Sequence, residues 1–214
     1  MSRNPRASSP APAARLDGGG FGLSPRSAIR LDDDVYANEQ LGLILEKPAG
    51  WHFLSIVDFE RQIERQSEND ELGGEMLRML AEVSGSPILV VAKWEEFGSD
   101  DVICPTIQVY ANPRETVPGG VVAEVEQAES AFANVHWKYE LEQPVRPMTL
   151  SGRPAAGFGY RYVMGEGSDL VVRAEARMVY GSFAHFSIGM LGPGDGPHVA
   201  DDEFARAWTA LRIA

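Results

Sequence analysis

Between Phe158 and Met190 the chain carries residues whose types and spacing could hold an anion or an acidic segment. Leu170, Val172, Ala174, Ala176 and Met178 alternate with Val171, Arg173, Glu175, Arg177 and Val179, the period of a strand with one dry and one wet side. Phe158, Tyr160 and Tyr162 alternate around Arg161, and Ala184, Phe186, Ile188 and Met190 around His185 and Ser187. Matching apolar faces across three antiparallel strands sets Tyr162 beside Val172, Tyr160 beside Ala174 and Phe158 beside Ala176. The same rule sets Ala184, Phe186, Ile188 and Met190 beside Met178, Ala176, Ala174 and Val172, because a one-residue slip would swap faces. The other face then collects Arg161, Arg173, Glu175, Arg177, His185 and Ser187. Guanidinium groups pair with carboxylates and phosphates through paired N–H donors, so this strip is a candidate recognition surface for an acidic segment or a small anion. It also fits a solvated sheet face with cross-strand charge pairs, Glu175 serving an arginine.

Other chemistry is sparse. The sequence has no G-x-S-x-G elbow, no H-E-x-x-H helix and no Walker loop, so no catalytic residue is assigned. The run from Gly18 to Gly22 has no strand before it and no helix after it, which makes it a linker rather than a phosphate cradle. His52, His136, His185 and His198 lack a second ligand at metal-binding spacing, and no metal or cofactor is expected. Cys104, the single cysteine, carries no signature of an activated nucleophile and reads as a small buried side chain. Asp32-Asp33-Asp34 and Asp100-Asp101 are too short for a calcium loop and read as loop charges. Trp51, Trp94, Trp137 and Trp208 read as core anchors, with Trp137 at an element boundary between His136 and Lys138.

The elements that must position these residues follow from periodicity. Leu41, Leu43 and Leu45 share one face of a first strand that stops at Pro48. Helical spacing runs from about Ile56 to Val83, with a break or two short helices expected around Gln66–Glu71 and Gly73-Gly74. Strands are expected at Ile88–Trp94 and Ile103–Tyr110, with Pro105 marking an edge strand or its first residues. Val121, Val125, Ala128 and Phe132 form one face of an amphipathic helix. Further strands follow at Trp137–Leu141, Val145–Leu150, Gly157–Val163, Leu170–Tyr180 and Phe183–Met190, and then a helix capped by Asp201 or Asp202 and bearing Phe204, Trp208 and Leu211. Consecutive strands with tight turns imply an α+β fold, an antiparallel sheet with helices packed on its faces. Leu43, Trp51, Val90, Val109, Phe132, Tyr160, Val172, Phe186 and Trp208 are expected to be buried in one contiguous core.

Residues 1–30 differ in composition from the rest. They are rich in Pro, Ala, Gly and Ser, and five arginines against one aspartate give them a charge of +4. With 19 basic and 31 acidic residues in the whole chain, residues 31–214 keep 14 against 30, a net of −16. A flexible basic arm followed by a single acidic domain is the simplest organisation. An acidic domain without a basic, aromatic-studded patch does not bind nucleic acid directly. No stretch is apolar for long enough to span a membrane, and the arm lacks the apolar core of a secretory signal, which points to the cytoplasm.

The segment LGLILEKPAGWHF (Leu41 to Phe53) combines the short strand, the stop at Pro48 and the Gly50-Trp51 anchor. Together with the closing hairpin and the helix bearing Phe204, Trp208 and Leu211, it resembles the PsbP-like superfamily from about Val35 to Ile213. That superfamily includes the extrinsic subunit of photosystem II, the eukaryotic Ran-release factor Mog and bacterial proteins. The resemblance implies a PsbP-like α/β/α sandwich and a non-enzymatic, protein-binding, adaptor- or chaperone-like role with a protein partner. Two other readings stay open: a small-molecule-binding protein or unrecognised enzyme with a pocket between sheet and helices, and a structural subunit of a larger assembly. The arm offers too little apolar surface to offset its chain entropy. Deleting residues 1–27 is therefore expected to leave the melting temperature almost unchanged; a large drop would make the arm part of the fold.

Overall fold

The computed structural model describes residues 29–30, 33–61, 85–95, 102–113, 118–196 and 199–214. Most of the expected arm, the helical region beyond residue 61, the Asp100-Asp101 pair and His198 lie outside the described residues. Residues 56–61 are helical. The strands are β1 (Ile29–Arg30), β2 (Val35–Asn38), β3 (Leu43–Glu46), β4 (His52–Leu54), β5 (Leu89–Ala92) and β6 (Thr106–Pro113). After helix α1 (Gly120–Val135) come β7 (Trp137–Leu150), β8 (Arg153–Val163), β9 (Val171–Tyr180) and β10 (Ala184–Pro193), and then α2 (Asp201–Ala210) and β11 (Arg212–Ile213).

Among the described residues two antiparallel sheets form. The large one runs β4-β5-β6-β10-β9-β8-β7 and the small one β1-β2-β3-β11. Each strand of the large sheet is joined to its neighbours by antiparallel pairing. The β7–β8 hairpin turns on Ser151-Gly152, both with positive φ (52° and 77°), the two-residue geometry that matches strand twist. α1 packs on one face of the large sheet. The small sheet and α2 pack on the other, so the fold is an α+β sandwich, an antiparallel sheet with helices packed on its faces.

Several expectations need correction. The segments Trp137–Leu141 and Val145–Leu150 are one strand, β7, interrupted by three register shifts; bulges let the chain pass Gln143 and Pro144 without ending the pairing. Pro105 precedes β6, which is central rather than an edge. Its carbonyl accepts from the Lys93 amide, and having no N–H to donate costs nothing there. α2 starts after Ala200, with no side-chain cap, and Asp201, Asp202 and Glu203 occupy its first turn instead. The core is double because the sheet is dry on both sides. Leu43, Trp51, Val109, Phe186 and Trp208 belong to the cluster under the small sheet and α2. Tyr160, with Phe132 against it, belongs to the cluster under α1. Val90 and Val172 are buried as expected. Trp137 is 43% exposed, since it opens β7, a strand at the edge of the sheet among the described residues.

α2 is anchored by the side chains it presents to the sheet. Trp51 meets Phe204 edge-on at 5.8 Å, and Lys93 pairs with Glu203 at 2.7 Å. Trp208 is buried against β9 and donates its Nε1–H to Glu175 at 2.7 Å. α1 is tied down differently. His136, just past its C-terminus, stacks on Tyr162 with ring centroids 3.9 Å apart and lies edge-on to Phe132.

Burial lowers the pKa of His136 to about 4. The unfolded chain takes up that proton near the ordinary value while the folded chain refuses it. The stabilisation is therefore complete above about pH 6.5 and lost as pH falls towards 4. Urea unfolding at pH 7 and 4.5 should show the parent losing on the order of 2 kcal/mol more than His136→Phe; equal losses would place the imidazole in a wetter site. Trp208→Ala should cost on the order of 3–5 kcal/mol in the same assay, and a loss below about 1 kcal/mol would mean that α2 docks without it.

Candidate functional site

The β8–β9 register is Arg161↔Arg173, Gly159↔Glu175 and Gly157↔Arg177. Arg161, Arg173, Glu175 and Arg177 therefore share one face, the side covered elsewhere by α2. His185 and Ser187 do not join them. β10 pairs with β9 as Phe186↔Val179, Ile188↔Arg177 and Met190↔Glu175, which puts His185 and Ser187 on the opposite, α1-covered face beside Tyr180 and Met178. Matching faces assumes one dry side. Here the apolar residues of β10 serve the core under the small sheet, while Ala174, Ala176 and Met178 of β9 serve the core under α1. The two adjacent strands are dry on opposite faces.

The strip is a network of paired charges. Arg161 meets Glu140 at 2.7 Å and Glu142 at 4.0 Å. Arg173 bridges Glu142 at 2.7 Å and Asp201, in the first turn of α2, at 2.6 Å. Glu175 accepts from Arg177 at 3.0 Å and from the Trp208 indole at 2.7 Å. The Arg177 guanidinium lies over the Trp208 ring, 3.9 Å from its centroid. Hydrogen bonding to Glu140 raises the pKa of Arg161. Burial pulls Arg173 down, but Glu142 and Asp201 together outweigh it and leave Arg173 raised. Arg177 ends lowered. Burial dominates, Glu175 offsets only part of it, and the charge of Arg146 adds to the depression.

Arg146 is the residue that the sequence pattern did not reveal. It pairs with Gly157 across β7–β8, and Gly157 pairs with Arg177 across β8–β9, so the two arginines flank a glycine. A Cβ on Gly157 would lie 2.7 Å from the Arg177 Cγ and 3.2 Å from the Met148 methyl. Glycine is what lets the arginine stem lie across the strand. A hollow of about 10 Å³ opens there between Arg146, Gly157, Glu175 and Arg177. Arg177 and Glu175 also form a wall of a larger groove, about 240 Å³, between β9 and α2. Met190, Ala174, Ala200 and Phe204 contribute its apolar part and Ala205 and Trp208 its α2 side.

On the other face, His185 Nε2 lies 3.4 Å from Glu124 of α1, whose second oxygen accepts from Tyr180 at 2.7 Å. Among the described residues His185 Nδ1 is buried without a hydrogen-bond partner. Tyr110, near this cluster on β6, donates to Gln108 at 2.8 Å, and burial pushes its hydroxyl up to about 12. Cys104 is buried and burial raises its thiol pKa, so it is held in the unreactive form. Among the described residues no three His, Cys, Asp or Glu converge as a metal site, and no helix is long and apolar enough to cross a membrane.

Comparison by sequence finds no matching family and no matching curated protein. Comparison of structures gives a different result. The cyanobacterial PsbP (CyanoP) of Synechocystis sp. PCC 6803 is similar over 92% of this chain and 98% of its own, with a TM-score of 0.51 at 12% sequence identity. At that identity the likeness concerns the backbone alone, and it establishes that this chain has a PsbP-like α+β fold.

Proposed function

We propose that this chain is a non-enzymatic protein-binding domain, adaptor- or chaperone-like, that holds its partner in the groove between β9 and α2. The observation that carries the reading is the character of that groove. Its floor is apolar through Met190 and Phe204, and its rim carries Arg173, Glu175, Arg177 and Asp201, the combination of apolar centre and polar edge found at protein interfaces. Arg161 extends the rim along β8, and the exposed Trp137 lies further out on the same edge of the sheet. The PsbP-like fold supports a binding role without naming a partner. The charge of −16 on residues 31–214 argues against a nucleic-acid partner.

A small-molecule site between sheet and helix is the competing reading, and the His185–Glu124–Tyr180 cluster is where it would lie. Substitution in the groove separates the two. Ala205 is exposed on α2 and lines the groove, so Ala205→Arg fills it at a position where arginine suits a helix. Affinity capture from the native host with the full-length chain should retain a protein that Ala205→Arg loses, with the melting temperature of the variant within a few degrees of the parent. The same set of proteins retained by both would remove the groove from consideration.

A further inference from the structure

Resting on that groove as the binding surface, we infer that its occupant is an acidic peptide segment in which a carboxylate side chain is flanked by an apolar one. The carboxylate sits between Arg146 and Arg177, and the apolar side chain enters the groove beside Met190 and Phe204.

Charge is distributed unevenly along the strip. At the end nearer the start of β7, Arg161 and Arg173 face three acids, Glu140, Glu142 and Asp201. At the Gly157 end, Arg146 and Arg177 face one, Glu175. Among the described residues Arg146 makes no ion pair; its guanidinium donates to the neutral side-chain oxygen of Gln143 at 3.1 Å. The single carboxylate is already shared, because one oxygen of Glu175 serves both Arg177 and the Trp208 indole. That end of the strip therefore carries a surplus positive charge on a strongly acidic domain. The half-buried Arg177 guanidinium is depressed by burial, which Glu175 offsets only in part, and by its cationic neighbour Arg146, and the charge of an added anion would favour its protonated form.

Space matches the charge. The hollow over Gly157, about 10 Å³, is the size of one oxygen atom or water. The two flanking arginines stand two strand spacings apart, roughly 10 Å between Cα atoms, so both can reach a carboxylate between them. The hollow and the larger groove share Glu175 and Arg177 as a common wall. A ligand reaching both needs an acidic and an apolar group a few ångströms apart, which adjacent peptide side chains supply and a free inorganic anion does not.

The test uses the full-length chain, ¹⁵N-labelled, with the Trp208 indole N–H as the reporter because that group lines the groove and bonds Glu175. The probes are three capped hexapeptides: one of Asp, Glu, Leu and Phe, its Asn/Gln counterpart, and an acidic one with Gly and Ser in place of the apolar residues. Sodium phosphate and sodium acetate serve as small-anion probes. The acidic-apolar peptide should shift the reporter and bind about tenfold more tightly than the Asn/Gln counterpart, with the preference shrinking as salt rises. Arg146→Ala, at an exposed position, should abolish that preference while leaving the unfolding midpoint in place. Equal binding of the acidic and amide peptides, or a preference untouched by Arg146→Ala, would overturn the inference. So would phosphate or acetate binding as tightly as the peptide. If no peptide binds but Ala205→Arg still loses its captured protein, this inference fails and the groove reading stands; if capture is also unchanged, both fail.

Discussion

The contact on which the rest depends is the meeting of Trp208 with Glu175 and Arg177. It fastens α2 to β9 by two means, an indole N–H donated to the Glu175 carboxylate at 2.7 Å and a guanidinium 3.9 Å from the ring centroid, while the Glu175–Arg177 pair at 3.0 Å within β9 holds both partners in place. α2 runs directly into β11, and β11 pairs with β3, so this contact also sets where the small sheet lies on the large one. The end of the chain closes the arrangement. Ser151, at the tip of one hairpin, donates to the Leu211 carbonyl at 3.0 Å, and the Ser182 amide, at the tip of another, donates to the Ala214 carbonyl at 3.0 Å. Removing Glu175 would leave a half-buried guanidinium and an indole N–H unsatisfied together, a loss on the order of 3 kcal/mol or more.

That same contact forms one wall of the groove. The fold and the proposed recognition surface are therefore not separable at Glu175, Arg177 or Trp208, whereas Arg146 and Ala205 line the groove and its hollow from exposed positions. The balance of charge follows from this arrangement. Arg173 reaches Asp201 only because α2 begins where it does, and the other acids that quiet Arg161 and Arg173, Glu140 and Glu142, come from the irregular edge strand β7. A strip of three arginines on an acidic chain is thus mostly neutralised from within, and the surplus moves to Gly157, where the pairing brings in a fourth. β7 also shows how an edge is kept from pairing with other chains: Pro144 and Pro147 lie within it, and its register shifts three times.

The alternation of small and apolar residues settled by itself the pairing of β8 with β9. Tyr162, Tyr160 and Phe158 stand beside Val172, Ala174 and Ala176, and Arg161, Arg173, Glu175 and Arg177 share a face, because both strands bury the same side under α1. The element types, the antiparallel order and the burial of Leu43, Trp51 and Trp208 were legible for the same reason: period and composition are local properties. Tertiary structure alone decided which face of β10 is dry. His185 and Ser187 went to the far side because β10 belongs to a second core, built with β3 and α2 from opposite ends of the chain. It decided too that Glu140, Glu142 and Arg146 reach the strip, since bulges erase the period that would assign their faces. Trp208 meets Glu175 from 33 residues away in sequence, a proximity that no local pattern encodes and that only the packing of α2 on the sheet creates.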